Sequence, residues 1–143
     1  MEAIQMFIAS RLELVYLLGL AVRGICHGLP FTGEESAALE LAVCEAANNA
    51  IKHAYEGRDD GVVRLSLAAD GTGILICVYD RGLPMADEKR LLRDLKEARS
   101  LVELPEEGLG LFLIRNAADS VDYKPGRPEN VLVIRKAYSG KME

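Results

Sequence analysis

The spacing of apolar and polar positions predicts an alternation of strands and helices along the chain. Short runs rich in apolar and β-branched residues predict strands over residues 4–8, 62–68, 73–79 and 131–136. Asp70-Gly71, between two of these runs, predicts a hairpin turn. Longer apolar stretches predict helices over residues 11–27, 41–55 and 108–118. Together they predict an α+β fold, a two-layer sandwich with helices on one face of a mixed, mainly antiparallel sheet.

Two sequence patterns mark the starts of the first two predicted helices. Ser10-Arg-Leu-Glu13 and Thr32-Gly-Glu-Glu35 both have the form of a capping box, in which the hydroxyl caps the helix and the glutamate reaches back. We therefore expect helices to begin just after Ser10 and Thr32.

Length and composition predict a single domain over residues 1–143. Half of the 143 residues are hydrophobic, which supplies a core without a disulfide or a metal, and the three cysteines lie in apolar contexts typical of reduced thiols. The formal charge of −5 argues against a nucleic-acid partner. The apolar stretch from Leu12 to Ile25 carries Glu13 and Arg23 and is shorter than the roughly 20 apolar residues of a membrane span, and no signal peptide is recognisable. We expect a cytoplasmic protein.

A row of polar residues interrupts the apolar stretch over residues 41–55. Glu45, Asn49 and His53 recur at four-residue intervals, which places them on one narrow face of a helix. Their neighbours are small and apolar, whereas a solvated face would normally carry Lys, Arg and Glu. Three unrelated surface residues could share this spacing, but the composition favours the wall of a polar site.

Two short motifs follow this helix in the sequence. Asp80-Arg-Gly82 comes directly after a predicted strand, so the backbone can turn while the carboxylate points into a crevice. Gly108-Leu-Gly110 opens the helix over 108–118, where backbone N–H groups and the helix dipole favour phosphate oxygens. Each motif alone is common in ordinary turns and helix starts.

In this order, the three motifs resemble the nucleotide-binding pattern of the GHKL ATPase superfamily. The spelling Glu45-Ala-Ala-Asn-Asn-Ala-Ile-Lys-His-Ala-Tyr55 is most similar to the anti-sigma-factor serine kinases of the RsbW and SpoIIAB type, and the resemblance extends from about residue 3 to residue 137. It implies a Bergerat-type ATP-binding fold, with ATP and Mg²⁺ as cofactors.

The resemblance also implies a role for each matching residue. Asn49 matches the asparagine that holds Mg²⁺ on the nucleotide phosphates, and Glu45 matches the catalytic base. His53 matches the third residue of that motif, with a supporting role in nucleotide binding. Asp80 matches the aspartate that accepts a hydrogen bond from the adenine amino group, and Gly82 lets the purine approach. Gly108, Leu109 and Gly110 match the segment beside the phosphates.

The chain departs from the family pattern at three places. Pro84 stands where many relatives have a glycine after Asp-x-Gly, and Glu107 precedes Gly108 where a small residue is common. Glu129-Asn130 replaces a Gly-Thr pair whose hydroxyl helps to hold the adenine, so Asn130 could supply a polar contact instead.

Two segments suggest regulation and partners. Residues 83–107 hold the densest charge around a few leucines, as in a solvated amphipathic helix, and their position between two ligand motifs also favours a lid over the nucleotide. The helix over 11–27 carries apolar residues on more than one face, which favours a partner or dimer interface. In the family it resembles, homodimers and sigma-factor binding are typical.

The first hypothesis is therefore an ATP-dependent serine/threonine protein kinase that phosphorylates a small antagonist (anti-anti-sigma) protein and sequesters a sigma factor or analogous regulator. The second is a nucleotide-dependent protein-binding module without kinase activity, against which Glu45 argues because a pure binder needs no carboxylate beside the metal. The catalytic part of a two-component histidine kinase is disfavoured, because we expect no room for a helical hairpin with a phosphoacceptor histidine.

Overall fold

The computed structural model describes residues 3–85 and 109–140, in which three α-helices pack on one face of a five-stranded sheet. The predicted α+β sandwich is therefore confirmed. The strands and helices are β1 (Ile4–Ala9), α1 (Val15–His27), α2 (Gly33–Asn49), β2 (Val62–Ala69), β3 (Gly73–Asp80), α3 (Leu109–Ala117), β4 (Ser120–Lys124) and β5 (Asn130–Ala137). Of the predicted lid, only residues 83–85 are described, and Gly108 and Glu107 also lie outside the described residues.

The strand order is β1-β2-β3-β5-β4, and all four pairings between these strands are antiparallel. Side chains alternate across the sheet, so Val63, Leu65 and Leu67 of β2 are buried under the helices together with Ile74 and Ile76 of β3. Because β5 lies between β3 and β4, its first residue, Asn130, is paired directly with the last residue of β3, Asp80. This register brings a polar pair to the end of the central strands.

One of the two predicted capping boxes is confirmed. The Thr32 hydroxyl accepts a hydrogen bond from the Glu35 N–H at 3.1 Å, and the Glu35 carboxylate accepts one from the Thr32 N–H at 2.8 Å. The cap therefore defines the N-terminus of α2.

The prediction of a capping box at Ser10 is wrong. A short 3₁₀ turn at Leu12–Leu14 precedes α1, and no side chain caps it. The Ser10 hydroxyl is buried and instead holds the segment before β2, donating to the Arg58 carbonyl and accepting from the Gly61 N–H at 3.0 Å. The Ser10 hydroxyl therefore makes tertiary hydrogen bonds in place of the helix cap that the local sequence pattern predicted.

The described residues contain no helix that is both long and apolar enough to cross a membrane. Of the three cysteines, Cys26 and Cys77 are buried, Cys44 is partly buried, and none forms a disulfide. Burial raises the pKa of Cys26 to about 11, so this thiol stays protonated at neutral pH. The predicted burial is therefore confirmed for Cys26 and Cys77 but not for Cys44.

Candidate functional site

A cavity of about 350 Å³ lies where α2, the end of β3 and the start of α3 meet. Its walls are mostly apolar, with a few polar groups, which is the usual composition of a small-molecule site. The residues that line it are Ala46, Asn49, Ala50, His53, Ala54, Val78, Asp80, Leu83, Pro84, Met85, Leu111, Tyr123 and Leu132. Three of the predicted site residues, Asn49, His53 and Asp80, thus share one cavity.

The row of three polar residues on α2 is not a single straight α-helical face. The helix widens into a π turn over Ala50–Ala54, closed by a hydrogen bond of 2.9 Å from the Tyr55 N–H to the Ala50 carbonyl. Asn49 is half-buried on the regular part, whereas His53 lies on the widened turn and is exposed at the cavity rim. The four-residue spacing predicted the shared site but not this change of pitch.

Glu45 lies beside Asn49 against the first turn of α3. A Cβ atom placed on Gly110 would be 2.9 Å from Glu45 Oε2 and 3.5 Å from Asn49 Nδ2, so the two side chains occupy the space that the glycine leaves free. No hydrogen bond or ion pair from another described residue engages either side chain. A carboxylate and an amide therefore lie together beside Gly110 of α3.

Asp80 is held rigidly at the end of β3. Its Oδ1 atom accepts hydrogen bonds from the Gly82 N–H at 3.0 Å and from the amide nitrogen of Asn130 at 2.9 Å. The described residues provide no hydrogen bond to the other oxygen, Oδ2. Since Asp80 lines the cavity, this oxygen is the acceptor that a ligand would meet there.

Burial raises the pKa of Asp80, and the nearby Glu129 carboxylate raises it further. The hydrogen bonds from Asn130 and Gly82 act in the opposite direction, because they stabilise the charged form. A largely buried carboxylate gains more from a ligand donor than an exposed one, because the local dielectric constant is lower than that of water.

Gly82 is required by the fold itself. A Cβ atom at this position would lie 2.3 Å from the Ala54 carbonyl oxygen and 2.8 Å from the Ala54 Cβ. The next residue, Leu83, donates its N–H to the same carbonyl at 2.9 Å. The turn after Asp80 thus packs against Ala54, the last residue of the π turn that continues α2. Close approach of a purine, which the resemblance implies for Gly82, stays a prediction.

Tyr55 fastens this junction from the other side. Its hydroxyl donates to the Val62 carbonyl at 2.6 Å and accepts from the Arg81 N–H at 2.8 Å. The ring is buried and fills the space above Gly61, where a Cβ atom would lie 2.5 Å from it. A single side chain therefore links the helix end, the start of β2 and the turn after β3.

Sequence reasoning missed most of the apolar lining and the role of Asn130. Leu132 could have been found, because it follows Asn130 by two residues on the same face of β5. The alanines at 46, 50 and 54 repeat at four-residue intervals and line the cavity with small side chains. Nothing in the local sequence identifies Asn130 as the partner of Asp80, because 50 residues separate them.

The oxygen donors beside Gly110 are suited to Mg²⁺ bound together with phosphates. Among the described residues, no group of three His, Cys, Asp or Glu side chains could enclose a metal ion. Mg²⁺ does not need such a cage, because it retains several waters and binds through one or two protein oxygens together with substrate phosphates. The adjacent Asn49 amide and Glu45 carboxylate fit that mode of binding.

Comparisons with known proteins agree with this geometry. A family model described as "Histidine kinase-like ATPase domain" matches residues 8–136. The serine-protein kinase RsbW of Bacillus pumilus is 33% identical over 126 residues, which cover 85% of this chain and 77% of that protein. The RsbW of Halalkalibacterium halodurans is 31% identical over 125 residues, covering 86% of this chain and 76% of that protein.

Among solved structures, the SiaB–SiaC complex from Pseudomonas aeruginosa has the same fold. It aligns with a TM-score of 0.63 at 14% identity, over 94% of this chain and 89% of the matched chain. The extent of the family match and the identity to the RsbW proteins go beyond a likeness of fold. The chain therefore belongs to the histidine kinase-like ATPase family of the GHKL superfamily, and within it to the RsbW-type serine-protein kinases.

Proposed function

We propose that this chain is an ATP-dependent serine/threonine protein kinase of the anti-sigma-factor type, which phosphorylates a small antagonist protein and sequesters a sigma factor or analogous regulator. One observation carries the proposal: Glu45 and Asn49 of α2 meet Gly110 of α3, and the π turn that continues α2 holds the turn after Asp80 through Ala54. The relationship to RsbW serine-protein kinases supports the same activity.

The proposed adenine site and the proposed phosphate site lie at different points along α2 and the π turn that continues it. Ala54 follows Glu45 by nine positions, a rise of roughly 13 Å. At the Ala54 end, Asp80 Oδ2 would accept a hydrogen bond from the adenine amino group. The small side chains of Ala46, Ala50 and Ala54 leave space for a flat ring. At the other end, the first N–H groups of α3 would receive the phosphates beside Gly110. His53 directly precedes Ala54 and lies at the rim of the cavity.

Phosphoryl transfer then requires a base, an aligned hydroxyl and neutralised phosphate charge. Asn49 would hold Mg²⁺, which when bound neutralises phosphate charge as the reaction proceeds. Glu45 accepts the proton of the substrate serine while the hydroxyl oxygen forms a bond to the γ-phosphorus and the bond to ADP breaks. The position of Glu45, one turn from Asn49 and close to Gly110, supports its assignment as the base at the phosphate end of the site.

The remaining assignments complete the proposal. Residues 1–143 act as one domain, with about 83–107 as the lid and Gly108 and Leu109 contributing to phosphate binding. Leu12, Tyr16 and Leu20 are exposed at four-residue intervals along the first helical segment, and they give an apolar strip suited to a protein partner, including a second copy of the chain. The acidic net charge disfavours nucleic acid as a partner, and we assign the protein to the cytoplasm.

The test is phosphate transfer from labelled ATP to the small antagonist proteins that co-purify with the chain. Glu45→Gln should lose transfer by roughly a hundredfold or more, the range expected when a general base is removed, and still bind ATP. Glu34→Gln, on the exposed first turn of α2, is the matched control and should transfer phosphate as wild type does.

Two results would contradict the proposal in different ways. If Glu45→Gln transfers phosphate as fast as wild type, Glu45 is not the base. If wild type binds ATP tightly and labels no antagonist while still retaining a partner, the chain is a nucleotide-dependent binding module instead.

A further inference from the structure

Asn130 is a fully buried polar side chain to which the proposed reaction gives no task. It opens β5 and is paired in register with Asp80 at the end of β3. Buried amides are retained where their hydrogen bonds are satisfied, so the identity of their partners indicates what they do.

The hydrogen bonds of Asn130 fix its orientation and use its donors completely. The amide nitrogen donates to Asp80 Oδ1 at 2.9 Å and to the Gly82 carbonyl at 3.0 Å, and the amide oxygen accepts from the Gly126 N–H at 3.2 Å. A carboxylate and a carbonyl can only accept, and an N–H can only donate, so the flipped amide would lose all three bonds. Both N–H groups are used, the side chain is fully buried, and Asn130 is not among the residues that line the cavity, so we assign it no direct contact with adenine.

We propose that Asn130 is the positioning residue that makes this site select a purine with a 6-amino group, by holding Oδ1 of Asp80 so that Oδ2 is the acceptor presented to the ligand. The inference rests on the proposed ATP-binding function and deepens it. An aspartate without this clamp could rotate its carboxylate and lose the alignment on which base discrimination depends.

The clamp also connects three backbone segments. The Gly82 carbonyl belongs to the turn docked on Ala54, and Gly126 belongs to the turn between β4 and β5. A Cβ atom at Gly126 would lie 2.6 Å from the Glu129 carbonyl oxygen, so this turn is closely packed as well. Asn130 thus holds the carboxylate with reference to both turns.

The test combines one change in the protein with one change in the ligand. Affinities of wild type and Asn130→Ala are measured for ATP and for purine riboside triphosphate, which lacks the 6-amino group. Wild type should prefer ATP, and Asn130→Ala should lose roughly ten- to a hundredfold of that preference, the range expected for a hydrogen bond to a charged group. Ile134→Val, a fully buried change on the same strand, is the control that lowers stability and keeps the preference.

A second variant keeps the inference testable if Asn130→Ala does not fold. Asn130→Asp has the same shape but needs a proton to donate to Asp80, and two adjacent carboxylates bind one proton more readily than either alone. Its loss of ATP affinity relative to wild type should therefore shrink as the pH falls from about 8 to about 5.5, whereas a space-filling role would give a constant ratio. In the described residues, Glu129, Arg64, Arg81 and His53 also surround this region, but they are identical in both proteins, so the ratio isolates the pair.

The outcomes separate this inference from the proposed function. If wild type binds neither nucleotide, the proposed function fails and the inference fails with it. If wild type prefers ATP, and Asn130→Ala retains the full preference or the Asn130→Asp ratio does not change with pH, the inference alone is overturned.

Discussion

Gly82→Ala should destabilise the protein before any nucleotide is bound. The added Cβ would lie 2.3 Å from the Ala54 carbonyl oxygen, which would have to retreat by roughly 1 Å to reach ordinary contact. That retreat also weakens the 2.9 Å hydrogen bond from the Leu83 N–H to the same oxygen. Overpacking of about 1–3 kcal/mol and a lost hydrogen bond of about 1 kcal/mol give a total of about 2–4 kcal/mol in the free energy of unfolding.

Urea denaturation of the nucleotide-free protein measures this loss, and a thermal scan should show a midpoint lower by roughly 6–12 °C for a domain of this size. Gly24→Ala is the matched control, because no atom lies within 4 Å of its Cβ position and the residue is inside α1. It should gain about 0.5–1 kcal/mol through helix propensity. If Gly82→Ala unfolds like wild type and loses only ATP binding, the glycine serves the ligand alone and the packing argument is refuted.

Three further changes test other parts of the site. Gly110→Ala should reduce phosphate transfer from labelled ATP and leave the free energy of unfolding in urea nearly unchanged, because its Cβ would lie 2.9 Å from the flexible end of Glu45. Unchanged transfer would contradict the assignment of Glu45 as the base. Tyr55→Phe leaves two backbone groups without their hydroxyl partner and should cost about 1–3 kcal/mol in urea denaturation, and a cost near zero would refute the fastening role. Asp80→Asn should abolish the ATP preference in a binding titration. Burial raises the folded-state pKa of Asp80 above its ordinary value of 3.8, so the protonated carboxyl favours the folded state. The free energy of unfolding of wild type should therefore decline as the pH rises above 3.8 and through the folded-state pKa, and that of Asp80→Asn should decline less.

The sequence predicted the elements well because their signals are local. Short apolar and β-branched runs identified the strands, and the pattern from Thr32 to Glu35 predicted a cap that the structure contains. The same kind of pattern failed at Ser10, because a contact 51 residues away in the sequence competes for its hydroxyl. Local spacing states which bonds a side chain could make, and burial decides which it does make.

The site was predicted in part for the same reason. Asn49 and Asp80 were assigned to one pocket from their motifs, and they do line one cavity. The clamp by Asn130 could not be predicted, because it depends on β5 being inserted beside β3 with Asp80 and Asn130 in register. The π turn after Asn49 could not be predicted either, because the sequence over residues 50–54 is equally compatible with a regular α-helix.

The widened turn explains how one helix can serve both ends of the site. Up to Asn49 the helix is regular, and it presents Glu45 and Asn49 to the first turn of α3. Beyond it the pitch changes, and the Ala54 carbonyl accepts the Leu83 N–H from the turn that follows β3. Because the turn proposed to recognise adenine is anchored on the continuation of the helix that carries Glu45 and Asn49, backbone contacts help to set the distance between the two ends of the proposed site. A site built this way keeps its polar groups aligned before a ligand arrives, and this preorganisation lowers the ordering cost of binding.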